Sequence, residues 1–421
     1  MAKRIVVSGL GFITCVGNSR HQVSAGLRDL RSGIREETFL GNPDLPVKVV
    51  GKPQGFEVGS PNGRNWSYPD AYAIDRGLLR SLPPQGVYAV CAVEQALADA
   101  GLEKGALKDG TTGLYCASVG SPLALHENLS ALRAAKGERA NPLGVLSSIA
   151  GTLNFNLGSW LGIRGTNCGY VSACASGAHA IGYAMDDIAL GRQKRAIVVG
   201  AEEATAESLL PFAAMRALST CSDPERASRP FDRDRDGFVG AGGATVLILE
   251  EEAFARSRGV EPYAELAGWG QRSDGYHRAS PHPEGEGLAG AMRLALAAAG
   301  LEVSQVDHVS AHATSTPAGD KAEALAIGTV FKERLAEVSV SSPKGLTGHS
   351  LSMAGALEAA ICCLMLKEGF VPGNVNLDHV DPACAHLNLP RLSQDVALSS
   401  ILNNSSGFGG SNVCNVLTRC D

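Results

Sequence analysis

The sequence predicts an α/β protein in which mixed β-sheets are covered by helices. Three observations favour this class. Short β-branched runs alternate with helical apolar periods from one end of the chain to the other. The 421 residues are 44% hydrophobic and 19% charged, which is ordinary for a large globular enzyme. Fifty glycines and only 5% aromatic residues indicate many tight turns and close backbone packing.

The first half of the chain opens with a predicted strand, RIVVSGLG, at residues 4–11. An amphipathic helix over 87–102 has Gly101 as its stop signal, and a strand over 111–120 follows it. A second helix over 177–191 precedes a strand over 195–204. This alternation predicts an α/β fold with mixed sheets between helices.

The second half repeats this alternation. It contains a predicted helix over 287–301, a strand running into a loop over 306–317, and a buried helix over 355–369. Residues 397–419 predict a strand, a Gly-rich turn and a final strand. No low-complexity linker divides the chain. The segment near 255–262 is the best boundary, which predicts domains over 1–260 and 261–421.

Charge and cysteine usage exclude several classes of protein. The net charge of −6 gives no indication of nucleic acid as a partner. Eleven scattered cysteines without a CxxC pattern argue against a disulfide scaffold or a zinc knuckle, and for thiols in a reducing cytosol. No apolar run reaches the roughly 18 residues that a membrane span needs. We therefore expect a soluble, cytoplasmic protein.

Two stretches imitate known binding motifs. Gly9 and Gly11 follow a strand like the start of a dinucleotide-binding loop, but Thr14 stands where the third glycine belongs. The sequence DRDRDGFVGAGG imitates a calcium loop, but Gly243 occupies the position of the bidentate glutamate. We expect a tight turn in the first case and a charged loop tied by Asp–Arg pairs in the second.

Cys174 lies in VSACASGAHAIG, and three interpretations are open: a packed core residue, a redox or metal group, or a nucleophile. It falls at a predicted strand-to-helix turn, where the helix N-terminus would stabilise a thiolate. Its small neighbours leave room for a substrate: Ala173, Ala175, Ser176 and Gly177. Gly177 and Ala178 would let the helix pack closely on the sheet.

A nucleophilic cysteine needs partners. His312 lies in SAHATSTPAGD, and His349 precedes a small-residue helix that carries Glu358. Taken alone, either histidine is more often a structural residue. The turn NSSGFGGSN, residues 404–412, could supply backbone N–H groups to an oxyanion hole or could be a plain hairpin.

Four motifs in this order, VSACASG, HATSTPAGD, PKGLTGHS and GFGGSN, resemble the β-ketoacyl-acyl carrier protein synthases of the type I/II class, within the thiolase superfamily. Residues 216–239 and the opening GLGFITCVGN are also similar, so the likeness covers essentially the whole chain. The resemblance implies the thiolase fold, two similar halves in a five-layer α-β-α-β-α sandwich. It also implies a homodimer, with a heterodimer with a related subunit as an alternative.

By this resemblance, Cys174 is a nucleophile acylated from the phosphopantetheine arm of an acyl carrier protein, and His312 and His349 are the paired histidines. The resemblance also implies further roles: Lys344 and Glu358 as a buried pair, Thr314 and Thr316 as pantetheine-binding, Asp320 and Glu323 as structural acidic residues, Phe408 and Asp274 as gating, and the N–H groups of Cys174 and Phe408 as the oxyanion hole. No metal or organic cofactor is implied.

The implied reaction is a decarboxylative Claisen condensation of the cysteine-bound acyl chain with malonyl-acyl carrier protein. The alternative is an acyl-chain scaffold subunit that needs an active partner synthase. Two departures from the family pattern lie near the implied entrance: Ala313 stands where glycine is usual and Ser406 where phenylalanine is usual. Ser406 is expected to enlarge or polarise that entrance.

Alignment with the family also suggests an acyl pocket and a docking surface. Val119 would lie at the deep position of the pocket, with Phe212 beside it. The basic candidates for docking an acidic carrier protein are Arg76, Arg80, Arg133, Lys136, Arg139 and Arg216. Arg216 is preferred because it belongs to the family-like segment MRALST.

Overall fold

Strands and helices alternate through residues 3–59, 65–134 and 141–420, the parts of the chain that the computed structural model describes. The strands are β1 Ile5–Ile13, β2 Ile34–Glu36, β3 Val49–Gly51, β4 Thr112–Ala117, β5 Asn167–Tyr170, β6 Arg195–Glu202, β7 Gly243–Glu251, β8 Ala264–Ser273, β9 His308–Ser310, β10 Ser339–Ser341, β11 Phe370–Val371, β12 Gln394–Asp395, β13 Ser400–Gly407 and β14 Ser411–Thr418. The helices are α1 Arg20–Arg28, α2 Arg76–Leu79, α3 Pro84–Asp99, α4 Pro122–Ala134, α5 Gly144–Ser148, α6 Thr152–Leu161, α7 Ser176–Ala189, α8 Ala206–Ala214, α9 Glu252–Ser257, α10 Glu286–Ala299, α11 Pro317–Phe331, α12 Lys344–Thr347 and α13 Ala354–Glu368. Each strand and helix that the sequence predicted is present, with its ends shifted by a few residues.

Ten strands form one sheet in the order β10-β9-β13-β14-β8-β1-β7-β6-β4-β5. The sheet consists of two sets of five strands with the same pattern. In the first set β1, β7 and β6 pair antiparallel in turn, and β6, β4 and β5 pair parallel. The set β8, β14, β13, β9 and β10 repeats this pattern. The prediction of two similar halves is therefore confirmed, and β1 joins β8 over only a short ladder.

Helices cover the strands in layers. Helices α3 and α6 lie on the outer face of the first half, and α10 and α11 lie on the outer face of the second. Helices α7 and α13 pack against each other between the two sets of strands. This is the predicted five-layer sandwich. The predicted domain division at residue 260 falls between α9 and β8, and it stays a prediction.

The contact between α7 and α13 is very close. A Cβ atom on Gly177 would lie 2.6 Å from the backbone nitrogen of Ala356, and one on Gly355 would lie 2.6 Å from that of Ala178. Gly177 therefore serves packing against the equivalent helix of the other half rather than against the sheet, whereas Ala178 also packs against Val413 of β14, as expected. This contact brings the segments before α7 and before α13 together.

Both motif imitations have structural explanations. A Cβ atom on Gly11 would overlap the carbonyl oxygen of Ala92, so this glycine lets α3 lie directly on β1. In the other stretch, Asp232 pairs with Arg229 at 2.9 Å and Arg235 pairs with Asp381 at 2.7 Å. The prediction of a charged loop tied by Asp–Arg pairs is confirmed.

Two expectations about the chain as a whole can be compared with the fold. None of the described helices has both the length and the apolar character to cross a membrane. All eleven cysteines lie in the described parts of the chain, and each is a free thiol.

Candidate active site

Cys174 lies in the turn between β5 and α7. Ser176 closes this turn, since its Oγ accepts from the backbone N–H of Ser172 at 2.8 Å and donates to the carbonyl of Ala173 at 2.6 Å. Ala173 has φ +51°, a left-handed conformation that is strained for a residue with a side chain. The thiol of Cys174 is half-buried at the start of α7. The turn thus presents the thiol toward the junction of the two halves.

His312 follows β9, and Glu323 of α11 fixes its backbone. The two carboxylate oxygens of Glu323 accept from the N–H groups of His312 at 2.9 Å and Ala313 at 2.7 Å. Asn404 of β13 donates to the same carboxylate at 3.0 Å. The predicted structural role of Glu323 therefore has a definite geometry: it holds the His312 loop against β13.

His349 follows α12, and the segment before β7 fixes its backbone. The N–H of His349 donates to the carbonyl of Val239 at 2.7 Å, and the N–H of Ala241 donates to the carbonyl of His349 at 2.9 Å. The ring of Phe238 packs edge-on against the imidazole, with centroids 5.2 Å apart. These contacts leave the imidazole little freedom to rotate.

The structure brings the three predicted reactive side chains together. Nε2 of His349 lies 3.1 Å from Sγ of Cys174. The rings of His312 and His349 are nearly perpendicular, with centroids 5.2 Å apart. One polar atom of each of the three residues lies within 4.8 Å of the others. Among the described residues, this is also the one group of histidine, cysteine or acidic side chains close enough to ligate a metal ion.

Burial sets the protonation of these groups. It raises the pKa of the Cys174 thiol to about 12, although the Lys344 cation opposes the rise. Burial also lowers the pKa of both imidazoles well below the usual value, and Lys344 lowers it further. A neutral thiol and two neutral rings are therefore favoured at rest. The expectation that the helix N-terminus stabilises a thiolate stays a prediction, since burial acts on the pKa of Cys174 in the opposite direction.

Lys344 and Glu358 form an ion pair between α12 and α13. Their side chains are 1% and 2% exposed. Burial raises the pKa of Glu358, and Lys344 opposes that rise. An unpaired buried charge would be costly, so each residue keeps the other in place. The pair supplies the positive charge that acts on Cys174 and both histidines.

The loop after His312 carries the two threonines. Oγ1 of Thr314 lies 3.0 Å from Oγ1 of Thr316, so the hydroxyls face the same space. Asp320 fixes this loop by accepting from the N–H groups of Thr316 at 3.2 Å and Phe231 at 2.9 Å. Burial raises the pKa of Asp320 to about 6, against the effect of Arg235. Asp320 thus ties α11 to the charged loop of Asp232.

The Gly-rich turn between β13 and β14 lies against the Cys174 turn. A Cβ atom on Gly407 would lie 2.5 Å from the carbonyl oxygen of Ser172 and 3.2 Å from the nitrogen of Cys174. Phe408, the next residue, is 39% exposed, and its ring centroid lies 6.1 Å from that of Phe212. The absence of a side chain at Gly407 allows the backbones of Cys174 and Phe408 to approach each other.

Asp274 connects a neighbouring loop to this turn. Its N–H donates to the carbonyl of Gly410 at 2.8 Å, and its carboxylate accepts from Asn412 at 2.8 Å. Ser406 donates to the side-chain oxygen of Asn412 at 2.7 Å. Ser406, Asn412, Asp274 and Thr314 line a small pocket beside His312. The expectation that Ser406 enlarges or polarises the entrance stays a prediction.

The acyl-pocket residues lie in different surroundings. Phe212 is partly buried in the hydrophobic cluster that includes Cys174. Val119 follows β4, and its N–H donates to Oε1 of Glu202 at 3.0 Å. Its side chain is 40% exposed, so this chain alone does not enclose it. The predicted position of Val119 deep in an acyl pocket, beside Phe212, stays a prediction, because other residues would have to enclose its side chain.

The docking candidates are surface residues. Arg216 is exposed directly after α8, with φ +55°. Arg76, Arg80 and Arg133 are also exposed. Lys136 and Arg139 lie outside the described residues. A role for any of them in docking stays a prediction.

Sequence reasoning missed Glu202, Phe238 and Asn404. Glu202 is completely buried, accepts from Val119, and also accepts from the hydroxyl of Ser352 after His349. Burial raises its pKa to about 8. Two consecutive glutamates, Glu202 and Glu203, at the end of an apolar strand are a signal that could have found it.

This arrangement suits acyl transfer. The thiol has a neutral nitrogen within reach as a proton acceptor, and two imidazoles can donate hydrogen bonds to one oxygen atom. The Gly-rich turn lies against the Cys174 turn at Gly407, and the predicted oxyanion hole of the Cys174 and Phe408 N–H groups stays a prediction.

Comparisons with known proteins agree with this geometry. Residues 2–255 match the family described as beta-ketoacyl synthase, N-terminal domain, and residues 263–378 match beta-ketoacyl synthase, C-terminal domain. The chain is 36% identical to the 3-oxoacyl-[acyl-carrier-protein] synthase 1 of Escherichia coli (strain K12), over 99% of each chain.

Solved structures are similar over the whole length. A beta-ketoacyl synthase from Burkholderia phymatum STM815 superposes with a TM-score of 0.90 at 33% identity, covering 100% of both chains. The ishigamide ketosynthase/chain length factor superposes with a TM-score of 0.89 at 30% identity, also over 100% of both chains.

Proposed function

The chain belongs to the β-ketoacyl synthase family, and from this premise we propose that it joins a cysteine-bound acyl chain to malonyl-acyl carrier protein by decarboxylative Claisen condensation. The product is a β-ketoacyl-acyl carrier protein of fatty acid or related polyketide synthesis. The observation that carries the proposal is the group formed by Cys174, His312 and His349, with Nε2 of His349 3.1 Å from the sulfur.

The first step transfers an acyl group to Cys174. The thiol proton moves to Nε2 of His349 as the sulfur attacks the thioester carbonyl, because the resting thiol is neutral. The oxyanion is held by the N–H groups of Cys174 and Phe408. The C–S bond to the carrier then breaks, its thiolate takes the proton, and an acyl-cysteine thioester remains.

The second step forms the carbon–carbon bond. After the first step His349 is again neutral, and once its ring carries the hydrogen on Nε2 instead of Nδ1, it and His312 donate Nε2–H hydrogen bonds to the malonyl thioester carbonyl. Loss of CO2 leaves an enolate whose oxygen these two donors stabilise. Neutral rings suit this task, since a charged imidazolium would protonate the carbanion. The carbanion attacks the acyl-cysteine, and the C–S bond to Cys174 breaks.

The substrates define the main partner, an acyl carrier protein with its phosphopantetheine arm. Thr314 and Thr316, with their hydroxyls 3.0 Å apart, are placed to bind that arm on the way to the histidines. Phe408 and Asp274 would control entry, and Arg216 would contact the acidic carrier. The condensation needs no metal or organic cofactor, because the acyl groups are carried on phosphopantetheine.

A homodimer fits the surface around β5. This strand ends the large sheet, so one of its edges is free of a neighbour among the described strands. Exposed apolar side chains lie on and near the adjacent elements: Val119, Leu125, Leu129, Val145, Ile149, Phe155 and Val171. A second copy would cover them and enclose Val119. The ishigamide pair suggests a heterodimer as the alternative.

The scaffold-subunit alternative is not favoured. A scaffold needs no nucleophile, whereas this chain has a cysteine, two histidines and a buried Lys344–Glu358 pair in one site. Burial of an ion pair beside a nucleophile costs desolvation free energy, and a subunit that catalyses no reaction would gain nothing from it.

Intact mass spectrometry tests the proposal. The purified protein is incubated with acyl-carrier thioesters of different chain lengths, and malonyl-carrier is then added. We expect an acyl adduct on the wild-type protein that disappears as a β-ketoacyl-carrier forms. The Cys174→Ala variant should give no adduct, whereas Cys168→Ser, which removes an exposed thiol, should behave as wild type.

The other outcomes are equally informative. An adduct that malonyl-carrier never discharges would contradict autonomous condensation and support a missing partner subunit. An adduct that persists in Cys174→Ala would remove Cys174 as the nucleophile.

A further inference from the structure

The three side chains of the proposed active site are also of the types that bind metal ions. We propose that Cys174, His312 and His349 form a three-ligand site for Zn²⁺ or a similar thiophilic divalent cation, and that metal binding blocks acylation. This site goes beyond the proposed condensation, which uses no metal. It concerns a reversible inhibitory ligand rather than a cofactor.

The ligand set is typical of zinc. Thiolate sulfur and imidazole nitrogen are the preferred zinc ligands, and three protein ligands with one open position are typical of exchangeable sites. In a tetrahedral site with Zn–S of about 2.3 Å and Zn–N of about 2.0 Å, ligand atoms lie about 3.5 Å apart. Here the three atoms lie within 4.8 Å of one another, and the His349–Cys174 separation is 3.1 Å. Small side-chain rotations are enough to bring all three onto one ion.

The ring nitrogens are available for this purpose. Nε2 of His349 already points at the sulfur from 3.1 Å, and one ring nitrogen of His312 lies within 4.8 Å of both atoms. Cys174 gives up its thiol proton to solvent as the Zn–S bond forms. The buried Nδ1 atoms of His312 and His349 have no hydrogen-bond partner among the described residues, so no hydrogen bond at Nδ1 fixes the tautomer of either ring, and the lone pair of the other nitrogen can face a metal.

The surrounding charges permit a cation. Lys344 is the nearby positive group, but its charge is balanced by Glu358. The site is open to solvent on the side of Cys174, which is half-buried, and of Phe408, which is 39% exposed. An ion can therefore enter without unfolding the chain.

Metal binding must compete with the proposed acyl transfer, because both use Sγ of Cys174. An acyl thioester on Sγ removes the thiolate ligand, and a bound metal removes the attacking lone pair. The acylated protein should consequently lose the metal site, and the metal-loaded protein should form no adduct until a chelator is added.

Cobalt provides a spectroscopic probe that does not depend on enzyme activity. The tag-free full-length protein is titrated with Co²⁺, and the thiolate-to-cobalt charge-transfer and tetrahedral d–d bands are recorded; Zn²⁺ is then added to displace the cobalt. We expect one Co²⁺ per chain and loss of both bands with Zn²⁺. The variants Cys174→Ala and His349→Ala should weaken binding by more than ~100-fold, beyond the effect of losing a residue that only orients a ligand.

Control variants and mass spectrometry separate the possible outcomes. Cys168→Ser and Cys221→Ser, which remove thiols outside the site, should keep the wild-type bands. Absence of thiolate bands in the wild type, or bands that persist in Cys174→Ala, would overturn the metal site. Condensation measured in the presence of a chelator is independent of this result. An active synthase that binds no Co²⁺ would therefore refute the metal site alone, and a metal-binding chain without condensation would refute the proposed function alone.

Discussion

At the scale of single residues, the site depends on a cation that never touches substrate. Lys344 is almost fully buried and is paired with Glu358, so its charge is fixed in position. It lowers the pKa of the Cys174 thiol and of both imidazoles. One ammonium group thus helps the nucleophile to ionise and keeps the two hydrogen-bond donors neutral. An ionised thiol is needed for attack on the acyl group, and neutral imidazoles are needed as hydrogen-bond donors in the condensation that follows.

The Lys344→Met variant should slow alkylation of Cys174 by iodoacetamide at a fixed, mildly alkaline pH. Removing the cation raises the pKa of the thiol further, and a rise of one unit lowers the thiolate fraction by about tenfold. The measurement is the rate of mass increase at Cys174. Lys367→Met, which removes an exposed lysine paired with Glu261, should alkylate at the wild-type rate. A rate that is equal to or faster than wild type would contradict the assigned role of Lys344.

Gly407→Ala should lower kcat/KM for acyl transfer by on the order of 10²–10³-fold, the usual effect of losing one oxyanion donor. The new Cβ would lie 2.5 Å from the carbonyl of Ser172 and would push the Gly-rich turn away from Cys174. Single-turnover acylation measures the effect. The same close contact should also lower the melting temperature, as is usual for overpacking, so acylation is measured well below the unfolding transition of both proteins. Unchanged acylation would rule out Phe408 N–H as a donor.

The raised pKa of Glu202 predicts a specific pH dependence of the free energy of unfolding. Its pKa is raised from 4.5 to about 8 in the folded chain. Between these values the unfolded chain binds fewer protons than the folded chain, so the free energy of unfolding falls as pH rises and levels off above about pH 8. The fall is on the order of a few kcal/mol, at ~1.4 kcal/mol per pKa unit. Denaturant titrations across this range measure it.

The Glu202→Gln variant should flatten this slope, because glutamine keeps an acceptor for Val119 and Ser352 but cannot ionise. Glu103→Gln, which changes an exposed carboxylate, should keep the wild-type slope. If both variants follow the wild type, Glu202 ionises normally in the folded chain.

At the scale of secondary structure, the close crossing of α7 and α13 positions the site. Cys174 precedes one helix and His349 precedes the other, so the distance between the helices sets the distance between sulfur and nitrogen. Gly177 and Gly355 each contact backbone atoms of the opposite helix. Backbone cannot be displaced as a flexible side chain can, and this makes the crossing intolerant of any added atom.

Gly355→Ala should therefore reduce the free energy of unfolding by about 1–3 kcal/mol, as is usual for overpacking. The same shift should lower acylation more than the melting temperature alone explains, because it separates His349 from Cys174. Gly105→Ala is the matched control, since a Cβ there has no atom within 4 Å. Equal stability of the two variants would mean that the crossing can relax.

The crossing also shows where sequence reasoning reached its limit. Periodicity and turn residues located α7, α13 and the strands, and the ordered motifs identified Cys174, His312 and His349. The contact between Gly177 and Ala356 joins residues far apart in the sequence, and helical periodicity carries no information about such a partner. Glu202 was missed for the same reason. Its carboxylate accepts hydrogen bonds from Val119 and Ser352, and these residues lie next to Glu202 only in the folded chain.

At the scale of the whole molecule, one half supplies the nucleophile and the other supplies both histidines. The repeated strand pattern places α7 and α13 in equivalent positions on either side of the interface. Neither half contains a complete site. Val119 is 40% exposed in a single chain, and the proposed homodimer would cover it with a second copy.

We expect Val171→Glu to convert a dimer into monomers. Val171 follows the edge strand β5 and is 59% exposed, so a charge there should be tolerated by the monomer but not by an apolar interface. Sedimentation velocity gives the mass. Leu392→Glu, at a side chain that is 74% exposed elsewhere on the chain, should remain dimeric. A monomeric wild type would contradict the expected homodimer directly.

The position of α7 and α13 in the chain has a consequence for synthesis on the ribosome. The strands of the first half are complete when β7 emerges, but the inner face of α7 is covered mainly by α13, which follows β8, α10 and α11, and in part by β8 and β14. At about 5–20 residues per second, the nascent chain presents this face for on the order of ten seconds. A growing polypeptide with an uncovered, glycine- and alanine-rich apolar helix face is a natural substrate for a ribosome-associated chaperone. Yield of the newly made enzyme should therefore depend on such shielding more than the stability of the finished fold would suggest.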